Sequence, residues 1–415
     1  MMKEDMRSEG TGATGALDGL KVLDFTQMLA GPFCTQLLAD QGAEVIKIEP
    51  MAGDTTRKVG PFHPDDKLRA FGGYFQSANR NKLSLVLDLK KAEAREIVLK
   101  LAEQADVVVE NYRPGVMDRF GLSYEVLRER NPKLVYASIR GFGDPRTGSS
   151  PYMEWPAFDV VSQAMGGLMG ITGPDENTPI KVGPGMGDLV PAVLAAYGVM
   201  AAVFRAQRCG RGQFLNVAMV DGVLALCERT IYQYSYQGKV AHPEGNQHPL
   251  LCPFGMFPAR DGWVTLACQS DDFWRQLCML IEREDMLSDA RFTDNQTRVQ
   301  NRDAVYEAVS GYTTRYTKRE LTERLGGHVP FGPVYDIADI HADPHFRQSG
   351  MLAEVEQPGM DRKLAIAGIP IHMSETPGSI RHRAPLLGEH SDMILREAGC
   401  SAAEIARWRE AGAVA

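Results

Sequence analysis

Leu20-Lys-Val-Leu-Asp-Phe25, then Pro32 to Gln41 closed by Gly42, then Ala43-Glu-Val-Ile-Lys-Ile-Glu49, read as strand, helix and strand in immediate succession. The strands are short and rich in Val, Leu and Ile, and a glycine ends the helix. The pattern continues through Leu83-Ser-Leu-Val-Leu-Asp88, a charged amphipathic helix from Lys90 to Gln104, Ala105-Asp-Val-Val-Val-Glu110 and Leu134-Val-Tyr-Ala-Ser-Ile139. Strands alternating with helices predict right-handed βαβ units, a parallel sheet and an α/β fold. Ligands of such sheets lie at the C-terminal ends of the strands. Asn111, directly after the 105–110 strand, sits at such an end. The dinucleotide fingerprint is missing, because the loop after Phe25 reads Thr-Gln-Met-Leu-Ala-Gly-Pro with a single glycine. An NAD-dependent enzyme is set aside.

Farther along, residues 189–207 form a strongly apolar helix, and a further helix covers Val217 to Tyr236. Composition then changes. Gly238 to Leu251 is rich in His, Pro, Gly, Asn and Gln and reads as a crossing linker. Pro253 to Gln269 reads as paired strands around Arg260-Asp-Gly262, a hairpin signal. Helical stretches with many Asp, Glu and Arg fill 272–327. These features predict a small α+β domain over 238–330, with a large domain built from 17–237 and, after the chain returns, 331–415. Strand-like segments near 351–373 and a helix from Ser401 to Glu410 complete the return. Residues 1–16 (MMKEDMRSEGTGATGA) read as a disordered tail, with none of the features of a signal or transit peptide.

At 415 residues the chain exceeds the size of one hydrophobic core, in keeping with two domains. A net charge of -8 argues against a nucleic-acid surface. The seven cysteines contain no Cys-x-x-Cys pair. They fit the reduced thiols of a cytoplasmic protein and support neither a zinc site nor a disulfide framework. No apolar run reads as long enough to span a bilayer.

The stretch Lys181-Val-Gly-Pro-Gly-Met-Gly-Asp188 carries the chemistry. Gly183, Gly185 and Gly187 permit a tight loop and close approach of a ligand to the backbone. Asp188 is an eligible N-cap, and a helix N-terminus favours its ionised form. A carboxylate presented this way could serve as a nucleophile or a base, or Asp188 is only a cap. Local sequence leaves the catalytic and the capping readings open.

Taken together, the motifs resemble the formyl-CoA transferase or CaiB/BaiF type, the class III CoA-transferases, over nearly all of residues 17–414. The anchors are Leu17-Asp-Gly-Leu-Lys-Val-Leu-Asp-Phe25, Ala30-Gly-Pro32, Gly42-Ala-Glu-Val-Ile-Lys-Ile-Glu49, Gly53-Asp54 with Arg57, and Asn79-Arg-Asn-Lys82. Val109-Glu-Asn-Tyr-Arg-Pro-Gly115, Gly187-Asp188, Gly210-Arg-Gly-Gln213 and Arg383-Ala-Pro-Leu-Leu-Gly-Glu-His390 continue the series. The resemblance implies a Rossmann-like large domain with a parallel sheet, a smaller α+β domain, and an interlocked homodimer whose chains thread through each other. It implies an active site between the large domain of one subunit and the small domain of the other. It also implies that Asp188 is the nucleophile, with an acyl-CoA and a carboxylic acid as substrates and no permanently bound cofactor.

Further roles carry over through the resemblance alone. Gln27, Leu29, Tyr74, Phe158, Asp159 and Gly187 match active-site positions. Ala30, Leu87, Lys90, Asn111, Tyr112, Arg119 and Phe120 match residues around CoA. Some relatives have His where this chain has Gln27, and a cation where it has Pro50. The formyl enzyme has Gln where this chain has Leu29, and its tetraglycine lid is absent here. These departures argue against oxalate and formate. The pattern at 79–82, Asn111-Tyr112 and Phe331-Gly-Pro-Val334 looks most like members that use succinyl-CoA and dicarboxylates. Arg57, Arg80, His242 and His248 are candidate partners for an acceptor carboxylate. The alternative is an isomerase, since α-methylacyl-CoA racemases share the fold. Racemases carry a histidine where this chain has Phe158, which cannot hold a proton, and Asp159 is expected to point elsewhere if the segment is extended. A non-catalytic CoA-binding paralogue is a third reading, opposed by the intact Gly187-Asp188.

Overall fold

The computed structural model describes residues 15–415. The tail reading falls outside these residues up to position 14, whereas Gly15 already packs on the backbone of Gln41.

Six strands form one sheet: β1 (Lys21–Asp24), β2 (Glu44–Glu49), β3 (Lys82–Val86), β4 (Val107–Glu110), β5 (Val135–Arg140) and β6 (Phe214–Ala218). Their order is β3-β2-β1-β4-β5-β6, and every pairing is parallel. This is the predicted α/β sheet with one strand more. The segment at 214–218 was expected to lead straight into a helix from Val217. Instead it pairs with β5 from Tyr136↔Phe214 to Arg140↔Ala218, and the helix begins at Met219 with no turn residue between. Gly212 makes the approach possible, since a Cβ there would stand 1.9 Å from the Leu134 carbonyl oxygen. The chain order reverses between β1 and β4, the switch point at which such sheets open a crevice beyond the strand ends.

The connecting helices are α1 (Ala30–Asp40), α2 (Gly73–Asn79), α3 (Ala92–Ala102), α4 (Val116–Arg119), α5 (Tyr124–Arg130), α6 (Asp159–Met165), α7 (Met186–Cys209), α8 (Met219–Leu226) and α9 (Glu228–Gln237). Alternation along the strands divides the core into two layers. Val22, Val45, Val107, Val109 and Val135 pack with α1 and the alanine-rich stripe of α7. Leu23, Ile46, Val108 and Tyr136 pack with α3 and with the C-terminal helices Ser391–Glu397 and Ala402–Glu410. Contrary to the expectation from sequence, α7 is by length and composition apolar enough to cross a membrane. In this fold Ala192, Ala195, Val199, Ala202 and Ala206 fall on one face at helical spacing and are buried in the sheet's core.

The chain divides into two compact units. One holds the described chain up to Leu168, Val182–Arg229 and His345–Ala415; the other holds Met169–Lys181 and Thr230–Pro344. The expected boundaries at 238 and 331 therefore differ from those observed. The return comes later because β9 (Phe331–Pro333) closes the second unit's sheet beside β7 (Phe254–Ala259) and β8 (Gly262–Ala267). The predicted hairpin at 260–262 is the β7–β8 turn. In the first unit, β10 (Leu352–Glu356) and β11 (Lys363–Ala367) form a separate antiparallel pair.

A chain of buried charges runs from the start of β3 to the C-terminal ends of β1 and β2. Asp24 pairs with Lys82 at 3.0 Å, Lys47 pairs with Asp54 at 3.0 Å, and Arg57 pairs with Glu49 at 2.6 Å. Burial works against the Asp24 carboxylate, but Lys82 and Lys47 outweigh it and hold its pKa low. Lys82 is drawn down to about 8 by burial and stays charged at neutral pH. Two residues expected near an acceptor carboxylate are spent here and beside it. Arg57 grips Glu49 through two nitrogens and donates to the Pro385 carbonyl. Arg80 is buried on Asp40. The Asn79-to-Lys82 motif as a whole holds backbone: Asn81 receives the N–H groups of Arg381 and His382, and Lys82 donates to the Pro32 carbonyl.

Candidate active site

The crevice at the β1/β4 switch point is closed by a reciprocal amide pair. The Gln27 N–H donates to Asn111 Oδ1 at 2.8 Å, and Asn111 Nδ2 donates to the Gln27 carbonyl at 2.7 Å. Gln27 Nε2 reaches the Tyr112 hydroxyl at 3.4 Å. Sequence reasoning missed what holds this pair. Glu110, fully buried at the end of β4, accepts the Tyr112 N–H at 2.7 Å and pairs with Arg140 at 2.5 Å. Burial pushes the Glu110 carboxyl up to about 7, opposed by Arg140. On the other side Lys47 donates to the Thr26 carbonyl at 2.8 Å, and Asp24 accepts the Thr26 N–H and hydroxyl. Met28 follows at φ 69°, a left-handed conformation that only a firmly anchored loop imposes on such a side chain.

The glycine loop comes next. Helix α7 begins at Met186 with Gly185 as its N-cap, so Asp188 lies in the first turn and is not the cap. A Cβ on Gly187 would stand 2.4 Å from the Asp159 carbonyl oxygen, so no side chain fits there. A Cβ on Gly185 would meet Leu29 Cδ2 at 3.3 Å and Asp159 Oδ1 at 3.7 Å, which places both side chains against the loop. Phe158 is extended, but Asp159 opens α6 and turns back. Its Oδ1 accepts the Gly187 N–H at 2.8 Å, which corrects the expectation that it points elsewhere. Burial pushes the Asp188 carboxyl up to about 7, and the charge on Asp159 adds to the shift. The shift is opposite in direction to the one expected from the helix N-terminus, and its causes are burial and Asp159. Burial also raises the Tyr74 phenol, and the charges of Asp188, Asp54 and Asp159 add to the shift.

The structure thus brings Leu29, Tyr74, Asp159, Gly187 and Asp188 together, and separately joins Gln27, Asn111 and Tyr112. Ala30 is buried as the first residue of α1. Phe158 is 61% exposed. Lys90 and Arg119 are exposed cations, and Phe120 is half-buried on the core. The Leu87 side chain is fully buried in the core and offers no surface to a ligand. His242 and His248 belong to the second unit. Among the described residues no cluster of three His, Cys, Asp or Glu is arranged to hold a metal ion.

The family model described as CoA-transferase family III matches residues 17–391. The chain belongs to CoA-transferase family III. A succinyl-CoA:mesaconate CoA-transferase of Haloarcula marismortui is 50% identical over 93% of this chain and 97% of its own length. A succinate–glutarate CoA-transferase of Agrobacterium fabrum is 36% identical over 92% of this chain and 95% of its own. The crystal structure of a CAIB/BAIF family protein from Brucella suis superposes with a TM-score of 0.82 at 34% identity, covering 93% of this chain and all of that one. The chain is a CoA-transferase that moves CoA between an acyl-CoA and a carboxylic acid. The racemase alternative is not favoured by these relatives.

The raised pKa of Asp188 in this transferase has a definite sign. Between its ordinary value of 3.8 and about 7, the folded protein keeps a proton that the unfolded chain has lost. Folding stability therefore falls as pH rises through that window. Asp188→Asn removes the effect, so its melting-temperature advantage over the natural protein should open between these two pH values and level off above. A difference that stays flat with pH would show that Asp188 titrates as an ordinary surface carboxyl.

Proposed function

We propose that the enzyme takes succinyl-CoA as donor and a small dicarboxylate as acceptor, with Asp188 as covalent nucleophile. The observation that carries this is a half-buried carboxylate on a side-chain-free loop, its basicity raised by burial and by Asp159. The Asp188 carboxylate attacks the thioester carbonyl, and the C–S bond breaks to give a mixed anhydride and CoA thiolate. The thiolate attacks the aspartyl carbonyl, giving an enzyme-bound CoA thioester and releasing the donor acid. The acceptor carboxylate then attacks that thioester, expelling the thiolate. The thiolate finally takes the acceptor's acyl group and restores the Asp188 anion. Every bond broken resembles the bond formed, so no external energy source enters.

Several loop N–H groups are already engaged within the protein. Those of Met186, Gly187 and Asp188 donate to the Pro184 carbonyl, Asp159 and the Gly185 carbonyl. The Gly185 N–H makes no hydrogen bond among the described residues and is the donor we assign to the developing oxyanion. The Gln27–Asn111–Tyr112 group supports a CoA site at the switch point, with Lys90 and Arg119 as cations for its phosphates. The relatives named for succinyl-CoA and succinate support the donor.

The test of the nucleophile is Asp188→Ala, which should abolish transfer while the protein stays folded. Hydroxylamine added during turnover of the natural enzyme should label the peptide containing residue 188. Near-normal turnover by the alanine variant would sink this mechanism.

The working form in this reading is an interlinked homodimer. Tyr197 is 75% exposed and Phe204 58%, on a helix whose opposite face is core. Helix α9 buries none of its residues, although it carries Ile231, Tyr232, Tyr234 and Tyr236. Apolar surface of that extent calls for a partner, and a second copy is the one the family architecture supplies. Light scattering should give twice the chain mass at all working concentrations; a stable, active monomer would contradict it.

A further inference from the structure

Gln163 lies in α6, one helical turn beyond Asp159, and its side chain is fully buried. Its amide nitrogen donates to both Asp159 oxygens, at 2.9 and 3.0 Å, and to the Pro184 carbonyl at 3.3 Å. Its amide oxygen accepts the Val182 N–H at 3.0 Å. Asp159 in turn accepts the Gly187 N–H at 2.8 Å. The stretch from 182 to 187 is thus fastened at 182, 184 and 187 by two side chains of a single helix turn. The amide has one sensible orientation. Turned over, its oxygen would face the Asp159 carboxylate and its NH₂ would face an N–H.

The loop's internal hydrogen bonds from the Met186 and Asp188 N–H groups span only its last residues. Gly183, Gly185 and Gly187 leave it three residues with no side chain and wide backbone freedom. Asp188 follows directly, so any drift of the loop moves the reacting carboxylate. We infer that Gln163 is a positioning residue for the transfer reaction: with Asp159 it staples the glycine loop to α6 and so fixes the line of attack of Asp188. This rests on Asp188 being the nucleophile. The CoA-binding residues at the switch point lie on other segments, so the staple acts on the chemical step and not on hold of the cofactor portion.

The experiment compares Gln163→Leu and Gln163→Glu in the full-length protein. Leu removes every hydrogen bond that Gln163 makes and leaves the Asp159–Gly187 bond in place. Glu keeps the size and the acceptor for Val182, loses the donor, and sets a carboxylate against Asp159. Both variants should keep the natural KM for the acyl-CoA while kcat falls, for Leu by about a hundredfold, the usual consequence of misplacing a reacting group by about 1 Å. The Glu variant should also show its rise of kcat with pH displaced upward, since a further negative charge then opposes ionisation of Asp188. Should Leu fail to fold, the Glu variant decides alone. A natural kcat in a folded variant overturns the inference, as does a loss that appears only as raised KM or vanishes on cooling below the melting range. Asp188→Ala run in parallel separates the two ideas. If it still turns over, the nucleophile assignment is wrong; if it is dead and the Gln163 variants are normal, only the staple is.

Discussion

Asp24 is fully buried, and the site depends on how its charge is satisfied. One oxygen takes the Lys82 ammonium and the Thr35 hydroxyl; the other takes the Thr26 hydroxyl and N–H. A carboxylate buried this way without cations would cost several kcal/mol. Lys82 in turn ties the start of β3 to α1, and Lys47 carries the charge chain onward to Asp54 beneath the Thr26 carbonyl. The chain leaves β1 along a path set by these bonds. Gln27 therefore meets Asn111 across the switch point, and Leu29 leans on the glycine loop. The return segment locks the far end, where Arg57 and Ser84 bind Pro385 and Gly388. The Arg383-to-His390 motif thus acts as a clasp on the charge chain.

The same rule works in the opposite sense at Asp188. Among the described residues no cation shifts its carboxyl; burial and the Asp159 carboxylate raise it instead. The result is a carboxyl near neutrality, more basic than a solvated aspartate and a better nucleophile once ionised. Asp24, fully buried, and Asp188, half-buried, are two aspartates in one unit. One is held anionic by lysines; the other has only Asp159 as a charged neighbour shifting it among the described residues.

Much of this was legible in the sequence. Strand–helix alternation gave the parallel sheet, and the spaced glycines before Asp188 marked the loop. β6 was hidden because Met219 begins a helix directly after Ala218, with no turn residue to separate the two periods. Arg57 and Arg80 were read as ligands for an acid because sequence does not say which carboxylate an arginine meets; Glu49 and Asp40 claim them only in the fold. Asp159 depends on α6 starting at that residue, which folds its carboxylate onto a glycine far along the chain. Gln163 carried no signal beyond its spacing of four from Asp159. Leu87 was named for CoA, yet its strand-end position turns it into the core.

The central claim is that an oxygen of Asp188 passes through the reaction. In a single turnover with enzyme in excess, an acceptor acid labelled with ¹⁸O on both carboxylate oxygens reports it directly. The acceptor attacks the enzyme thioester through a labelled oxygen, and that oxygen stays with Asp188 when the thiolate takes the acyl group. Cleavage after Lys181 and Arg205 releases the peptide holding residue 188. The account predicts one heavy oxygen in that peptide and none in the released donor acid. An unlabelled peptide, with the heavy oxygen found in the donor acid, would mean that acceptor and donor react directly and would contradict it.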